Sequence, residues 1–125
     1  MEFDPSSPIL LQLVDEFTRR IVVGTWAPGE RIPGVRDLAL DLRVNPNTVQ
    51  RALAELDRRG LSRSERTTGR FVTDDETVIA AARAGLAAEM AAHYARRAHG
   101  LGMSLSAARD LLGQQWRSAT EGEVG

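Results

Sequence analysis

VRDLALDLRVNPNTVQRALAELDRRG, residues 35–60, decides the fold of this 125-residue chain. Val35, Leu38, Ala39 and Leu42 fall at i, i+3, i+4 and i+7, the spacing that aligns side chains along one face of a helix. Val49, Ala52, Leu53 and Leu56 repeat it. Arg43, Val44 and Asn45 break the period between the two runs. Asn45 followed by Pro46 reads as a helix start: an N-cap side chain, then proline at the first helical position, where no amide donor is required. Two short helices joined by a tight polar turn make a helix-turn-helix. The apolar face of the second helix centres near Val49 and Leu56, which turns Asn47, Gln50, Arg51 and Ala54 outward. Asn, Gln and Arg are the side chains suited to bidentate contacts with adenine or guanine edges in a major groove. A solvated helical hairpin with a polar outer face carries the same pattern, so this stretch alone leaves both readings open.

Working outward, the length allows one domain, or one small domain with an appendage. With 42% hydrophobic and 26% charged residues the chain can bury a core and is not of disordered composition. It contains no Cys, which excludes a disulfide framework, a thiolate zinc site and a cysteine nucleophile. No apolar run approaches the roughly 18 residues of a membrane span, and the N-terminus lacks a basic region followed by an apolar stretch, so a cytoplasmic protein without a membrane partner is expected. The net charge of −1 says little by itself. Its distribution says more: residues 1–35, 36–70 and 71–125 carry nets of −2, +3 and −2, which puts the positive potential on the helix-turn-helix and the segment after it.

Upstream, Ser7 is placed to cap a helix with Pro8 at its first position. Ile9, Leu10, Leu13, Val14, Phe17, Ile21 and Val22 then hold one core face as far as Gly24, a C-terminal stop. The connection 25–34 is rich in breakers, although Glu30 to Ile32 suits a very short strand, and Trp26 is expected to pack over the end of the first helix. Downstream, Leu61 to Arg66 and Arg70 to Thr73 read as two strands around a Thr67-Thr68-Gly69 turn, with Gly where positive φ is needed. Few residues of this hairpin are apolar, as befits a ribbon standing out from the body. Arg63, Arg66 and Arg70 on it could follow phosphates or reach into a minor groove, or be scattered charges on a solvated hairpin. The order helix, short strand, helix, helix, hairpin is a winged helix-turn-helix.

Asp74, Asp75 and Glu76 open a long, alanine-rich helix from about Thr77 to His99. Gly100 to Gly102 ends it. Ser104 then caps a last helix, Met103 and Ala108 are placed for a hydrophobic staple, and Leu105, Ala108, Leu111, Leu112 and Trp116 form its apolar face. From Ser118 the tail is polar and expected to be disordered. The expected architecture is mostly α with a small β-hairpin: a winged helix-turn-helix domain over 8–74, a two-helix dimerisation appendage over 75–117, and a disordered 118–125. The appendage is too small to enclose a ligand cavity of its own. Packing of its apolar faces against a second copy through residues 77–117 would present two reading heads to a two-fold operator; folding back on the chain's own winged domain is the alternative.

Other chemistry finds little support. His93 and His99 lie six apart, on opposite faces of one helix, and cannot share a metal. There is no zinc-ligand spacing, Gly-rich phosphate loop or GxSxG, and the adjacent carboxylates Asp15 with Glu16 and Asp74 with Asp75 read as solubility and capping. No cofactor, metal site or enzyme activity is expected.

The run from Pro8 to Leu61, closed by TGRFV at 68–72, resembles the N-terminal domain of GntR-family bacterial transcription regulators. The resemblance rests on Pro8, on Gly24 with Pro28, Gly29 and Arg31, on Pro33 with Val35, Arg36, Leu38 and Ala39, and on Asn47, Thr48, Val49, Leu53, Leu56 and Gly60. The wording VNPNTVQRAL and the short tail ending near Trp116 are similar to the YtrA subfamily, whose members lack a large effector domain and dimerise through the tail helices. The resemblance covers residues 8–117. It implies contacts to double-stranded DNA from Arg36, Asn45, Asn47, Thr48 and Gln50, and from Thr68 and Gly69 at the wing tip. Arg51 is added as a phosphate ligand from the helix geometry, and Arg66 and Arg70 from the ribbon. Pro46 stands where many relatives carry Arg, so a base contact from that Arg is lost here. The strand 62–66 is also more polar than the family norm. The implied function is a homodimeric repressor on an inverted-repeat operator, in the manner of regulators of transporter operons. A winged helix serving as a protein-interaction module is the competing class. Any small-molecule effector is unknown; its seat would be a cleft between the tail helices and the winged domain near Trp26, Tyr94 or Trp116.

Overall fold

The computed structural model describes residues 1–121 in the order α1 (Ile9–Val22), α2 (Val35–Leu42), α3 (Pro46–Arg58), β1 (Ser62–Glu65), β2 (Gly69–Val72), α4 (Glu76–Gly100) and α5 (Leu105–Glu121). The strands form one antiparallel hairpin with Ser62 opposite Val72 and Glu65 opposite Gly69. The anticipated strand over 30–32 reduces to a single bridge from Arg31 to Phe71, secured by Ile32 N–H to the Arg70 carbonyl at 2.8 Å and Val72 N–H to the Glu30 carbonyl at 2.9 Å. The chain divides into two compact units between Leu86 and Ala87.

In the first unit α1 and α2 both pack on α3, and β1 runs on from the end of α3. The core collects the periodic positions: Leu13, Val14, Phe17 and Ile21 of α1, Leu38, Ala39 and Leu42 of α2, and Val49, Ala52, Leu53 and Leu56 of α3. Ile32, Leu61 and Val72 close it from the connection and the hairpin. Trp26 is only 5% exposed; its ring lies 5.3 Å from that of Phe17 and beneath the Arg20 guanidinium. Buried Thr18 satisfies its hydroxyl on the Val14 carbonyl at 2.7 Å. Burying one such apolar side chain stabilises by roughly 1.5–3 kcal/mol, against about 1 kcal/mol for a cap. The core therefore sets the helix arrangement, and the caps set where helices end.

Three boundaries differ from the sequence expectation. Pro8 is the N-cap of α1 and not its first helical residue, and Ser7 supplies no side-chain cap. Instead the Gln12 amide reaches back, donating to the Asp4 and Ser7 carbonyls at 2.6 and 2.8 Å while accepting from Asp4 N–H at 2.8 Å. The winged unit does not stop at residue 74: Ile79 is in its core, Val78 and Ala82 pack on that core, and Arg83 donates to the Val22 carbonyl at 3.1 Å. The start of α4 is thus held by the winged unit. Its cap is Asp75, whose carboxylate accepts from Thr77 N–H at 2.9 Å and the Thr77 hydroxyl at 2.5 Å. Finally α5 continues to Glu121, so residues 118–121, expected to be disordered, are helical, while 122–125 lie outside the described residues.

In the second unit the Tyr94 hydroxyl donates to the Ala108 carbonyl at 2.7 Å, tying α4 to α5 across the turn. Gly102 takes the left-handed conformation that the reversal needs, and Ser104 caps α5 through Ala107 N–H at 3.1 Å. No residue of α5 is buried, and Met90, Leu101, Leu105, Leu112 and Trp116 are exposed.

Candidate nucleic-acid interface

The turn between α2 and α3 is built by two local devices. Arg43, the C-cap of α2, adopts the left-handed conformation at φ 57°, which lets Val44 N–H return to the Ala39 carbonyl at 3.0 Å. Asn45 then caps α3, its Oδ1 accepting from Asn47 N–H at 2.8 Å, with Pro46 in the first turn. With Val49, Ala52, Leu53 and Leu56 buried, α3 presents Asn47, Gln50, Arg51 and Ala54 to solvent, with Thr48 half-buried beside them. Asn45 keeps its side-chain amide donors free of any partner among the described residues. Arg36 is exposed on α2.

The hairpin carries Arg66 and Thr68 exposed in its turn and Gly69 half-buried at the start of β2. Gly69 has φ 118°, a backbone conformation that favours glycine, and the Arg31 guanidinium lies over it. The Thr68 hydroxyl donates to Glu65 at 2.9 Å. Arg36, Arg43, Arg51 and Arg66 make no ion pair among the described residues. The remaining arginines of this region are committed. Arg58 and Arg59 both hold Glu55, and their hydrogen bonds bring its carboxyl down to about 2. Arg63 lies over the Phe71 ring and reaches Glu65 and Asp74. Arg70, which the sequence placed among the contacts to DNA, donates instead through Nε to Asp57 at 3.1 Å.

The structure therefore gathers Arg36, Asn45, Asn47, Thr48, Gln50 and Arg51 around one helix-turn-helix, puts Arg66, Thr68 and Gly69 at the hairpin tip, and withdraws Arg70 into the hairpin's root. Sequence reasoning missed Arg43, whose exposed guanidinium stands in the turn itself, and Asp57, which holds the hairpin. Ser62 and Ser64, two apart on one strand and so on one face, were the available signal for the second. Among the described residues no group of three metal-ligating side chains lies together, and no helix is long and apolar enough to cross a membrane. Of the side chains suggested for an effector, Trp26 is a core residue, the Tyr94 hydroxyl is bonded to the Ala108 carbonyl, and Trp116 is exposed.

The model of bacterial regulatory proteins of the gntR family matches residues 10–72. The chain belongs to the GntR family. Among GntR relatives, the uncharacterized transcriptional regulator YhcF of Bacillus subtilis is 31% identical over 103 residues, 82% of this chain and 85% of that protein. The transcriptional repressor YtrA of the same organism is 34% identical over 77 residues, 60% of this chain and 59% of the repressor. These matches support the YtrA-like assignment. A GntR regulator from Listeria monocytogenes superposes with a TM-score of 0.83 at 32% identity, over 90% of this chain and 98% of that one. The DNA-binding domain of AraR in complex with an operator superposes with a TM-score of 0.53 at 27% identity, over 58% of this chain and 93% of that domain. Fold and relatives are those of transcription regulators, not enzymes, and the winged unit is the GntR DNA-binding domain.

Proposed function

We propose that the protein is a homodimeric, cytoplasmic repressor that binds an inverted-repeat operator. Helix α3 lies in the major groove of each half-site and the wings reach the flanks. The observation that carries this is the segregation of arginines. Within residues 36–70, the arginines without an ion pair stand on α2, the turn, α3 and the wing tip, whereas Arg58, Arg59, Arg63 and Arg70 are engaged by Glu55, Asp57, Glu65 and Asp74. Arg36, Asn47 and Gln50 supply base or phosphate contacts, Asn45 donates from the turn with Thr48 beside it, and Arg43 and Arg51 take phosphates. Arg66, Thr68 and Gly69 meet the flanking backbone. AraR, whose DNA-binding domain shares the fold, is known bound to its operator, which supports the same use here.

The second unit supports the dimer: Trp116 is 68% exposed, and Leu105, Leu112 and Met90 are exposed on the same two helices. Exposed apolar side chains on a small two-helix unit suit an interface between copies, and a two-fold axis through it would bring two heads to one operator. The likeness to YtrA extends the proposal to repression, and the YtrA-like resemblance to a transporter operon.

The test is Arg36→Ala combined with Asn47→Ala. Gel shifts on DNA selected by the parent protein should show operator binding abolished, with the dimer and its helix content intact. Unchanged affinity would refute the reading face. Binding of the parent to random duplex should weaken steeply with salt, as counterion release demands, and salt-insensitive binding would favour the protein-interaction reading.

A further inference from the structure

The hairpin has little of its own to fix its direction. Arg63, Ser64 and Glu65 of β1 are exposed, only Ser62 and Val72 are buried, and an isolated two-stranded ribbon is marginal in water. On the β2 side the bridge at Arg31 and Phe71 anchors its base. On the β1 side one carboxylate does so. Asp57, in the last turn of α3, accepts from the Ser62 hydroxyl at 2.5 Å and the Ser64 hydroxyl at 2.7 Å. It also takes the Arg70 fork, Nε at 3.1 and 3.2 Å to its two oxygens and Nη2 at 3.2 Å. Ser64 and Arg70 are cross-strand partners, so the carboxylate clasps both strands at once. Partial burial pushes the Asp57 carboxyl up, but the donors from Ser62, Ser64 and Arg70 outweigh it and hold it below its ordinary value.

We infer that Asp57 is the positioning residue that sets the wing against the reading helix, so that the major-groove and flank contacts are made in one register. The inference rests on the reading of α3 and the wing as the DNA interface. It also changes the role of Arg70. The guanidinium serves as the wing's strut and not as a phosphate ligand, since its side chain is only 16% exposed and its fork is already taken. The fold itself does not depend on the clasp, because Leu53, Leu56, Leu61 and Val72 are buried independently of it.

The experiment compares the full chain with Asp57→Ala, Arg70→Ala and the double variant on a duplex selected from random sequence by the parent protein. Hydroxyl-radical footprints read the two contact regions separately, and circular dichroism checks the fold. In the parent, protection should cover both the major-groove half-sites and their flanks. Either single variant should lose flank protection, keep the central protection and weaken binding about tenfold, equivalent to about 1.4 kcal/mol. The double variant should be no worse than either single one, because both substitutions open the same clasp. The salt dependence should flatten by about 0.9 for each phosphate contact given up. Were Arg70 a direct phosphate ligand, Asp57→Ala would free it, and flank protection would persist or strengthen. That result overturns the inference and leaves the DNA reading standing. A parent footprint without flank protection overturns both.

Discussion

Replacing Arg43 with glycine should stabilise the protein, against the usual direction of substitutions. Arg43 sits at φ 57°, ψ 50°, and no other non-glycine among the described residues has positive φ. Holding an L-residue in the left-handed region costs roughly 1–2 kcal/mol. Glycine abolishes that cost but returns roughly 0.5–1 kcal/mol through the freer unfolded chain. The guanidinium has no ion pair to lose among the described residues, and the turn's own bond, Val44 N–H to the Ala39 carbonyl at 3.0 Å, involves only backbone. The balance is a gain of about 0.5–1 kcal/mol, a rise of roughly 0.4 M in the urea midpoint for a chain of this size. The assay is urea unfolding at one fixed protein concentration, since association moves the midpoint. Arg43→Ala is the control. It removes the charge but keeps the β-carbon, and should fall at or below the parent. A glycine variant less stable than the parent, or an alanine variant as stable as the glycine one, would show that the left-handed turn carries no such cost. A loss of operator affinity alongside the gain in stability would fit the phosphate contact proposed for Arg43.

Two further outcomes are expected. A chain ending at Leu86 should sediment as a folded monomer, because Val78, Ile79, Ala82 and the Arg83 bond to Val22 stay with the winged unit, whereas a cut at residue 73 removes part of the core; a dimer of the longer piece would eliminate the tail interface. Acid should weaken the clasp at Asp57. Its folded pKa lies below the ordinary 3.8, so the stability it contributes is complete above that value and is lost as pH falls through the folded value. The urea midpoint of the parent should therefore converge on that of Asp57→Asn as pH falls below 3.8, and a constant gap would contradict this.

The parts legible in the sequence were those set by local period and local capping. The apolar rows of α2 and α3 reach the core, as do Leu13, Val14, Phe17 and Ile21 of α1, although Ile9 at the head of that row is exposed; Asn45 and Pro46 start α3, and Gly24 and Gly69 take positive φ. Each depends on neighbours within a turn or so of helix. What the sequence hid depends on partners far along the chain. Nothing near residue 74 announces that Ile79 belongs to the winged core, because alanine-rich helices look alike on either side of Leu86. Nothing near Pro8 announces that Gln12 reaches back to Asp4. Arg70 looked like a free cation because its partner lies thirteen residues away, on another element.

That last case bears on how charge should be read. The region 36–70 has a net of +3, and the sequence spreads this evenly along helix and hairpin. The structure does not. Glu55 absorbs Arg58 and Arg59, Asp57 absorbs Arg70, and Glu65 with Asp74 absorbs Arg63. What remains is Arg36, Arg43, Arg51 and Arg66, distributed over α2, the turn, α3 and the wing tip. Ion pairs at the surface contribute little stability each, so the pairing at the end of α3 is not needed to hold the fold. Its consequence is electrostatic: it ties up guanidiniums where α3 leaves the proposed interface and leaves those of Arg36, Arg43, Arg51 and Arg66 available where phosphates would be met. Four available guanidiniums are thus placed on the helix-turn-helix and wing tip of a protein whose overall charge is −1.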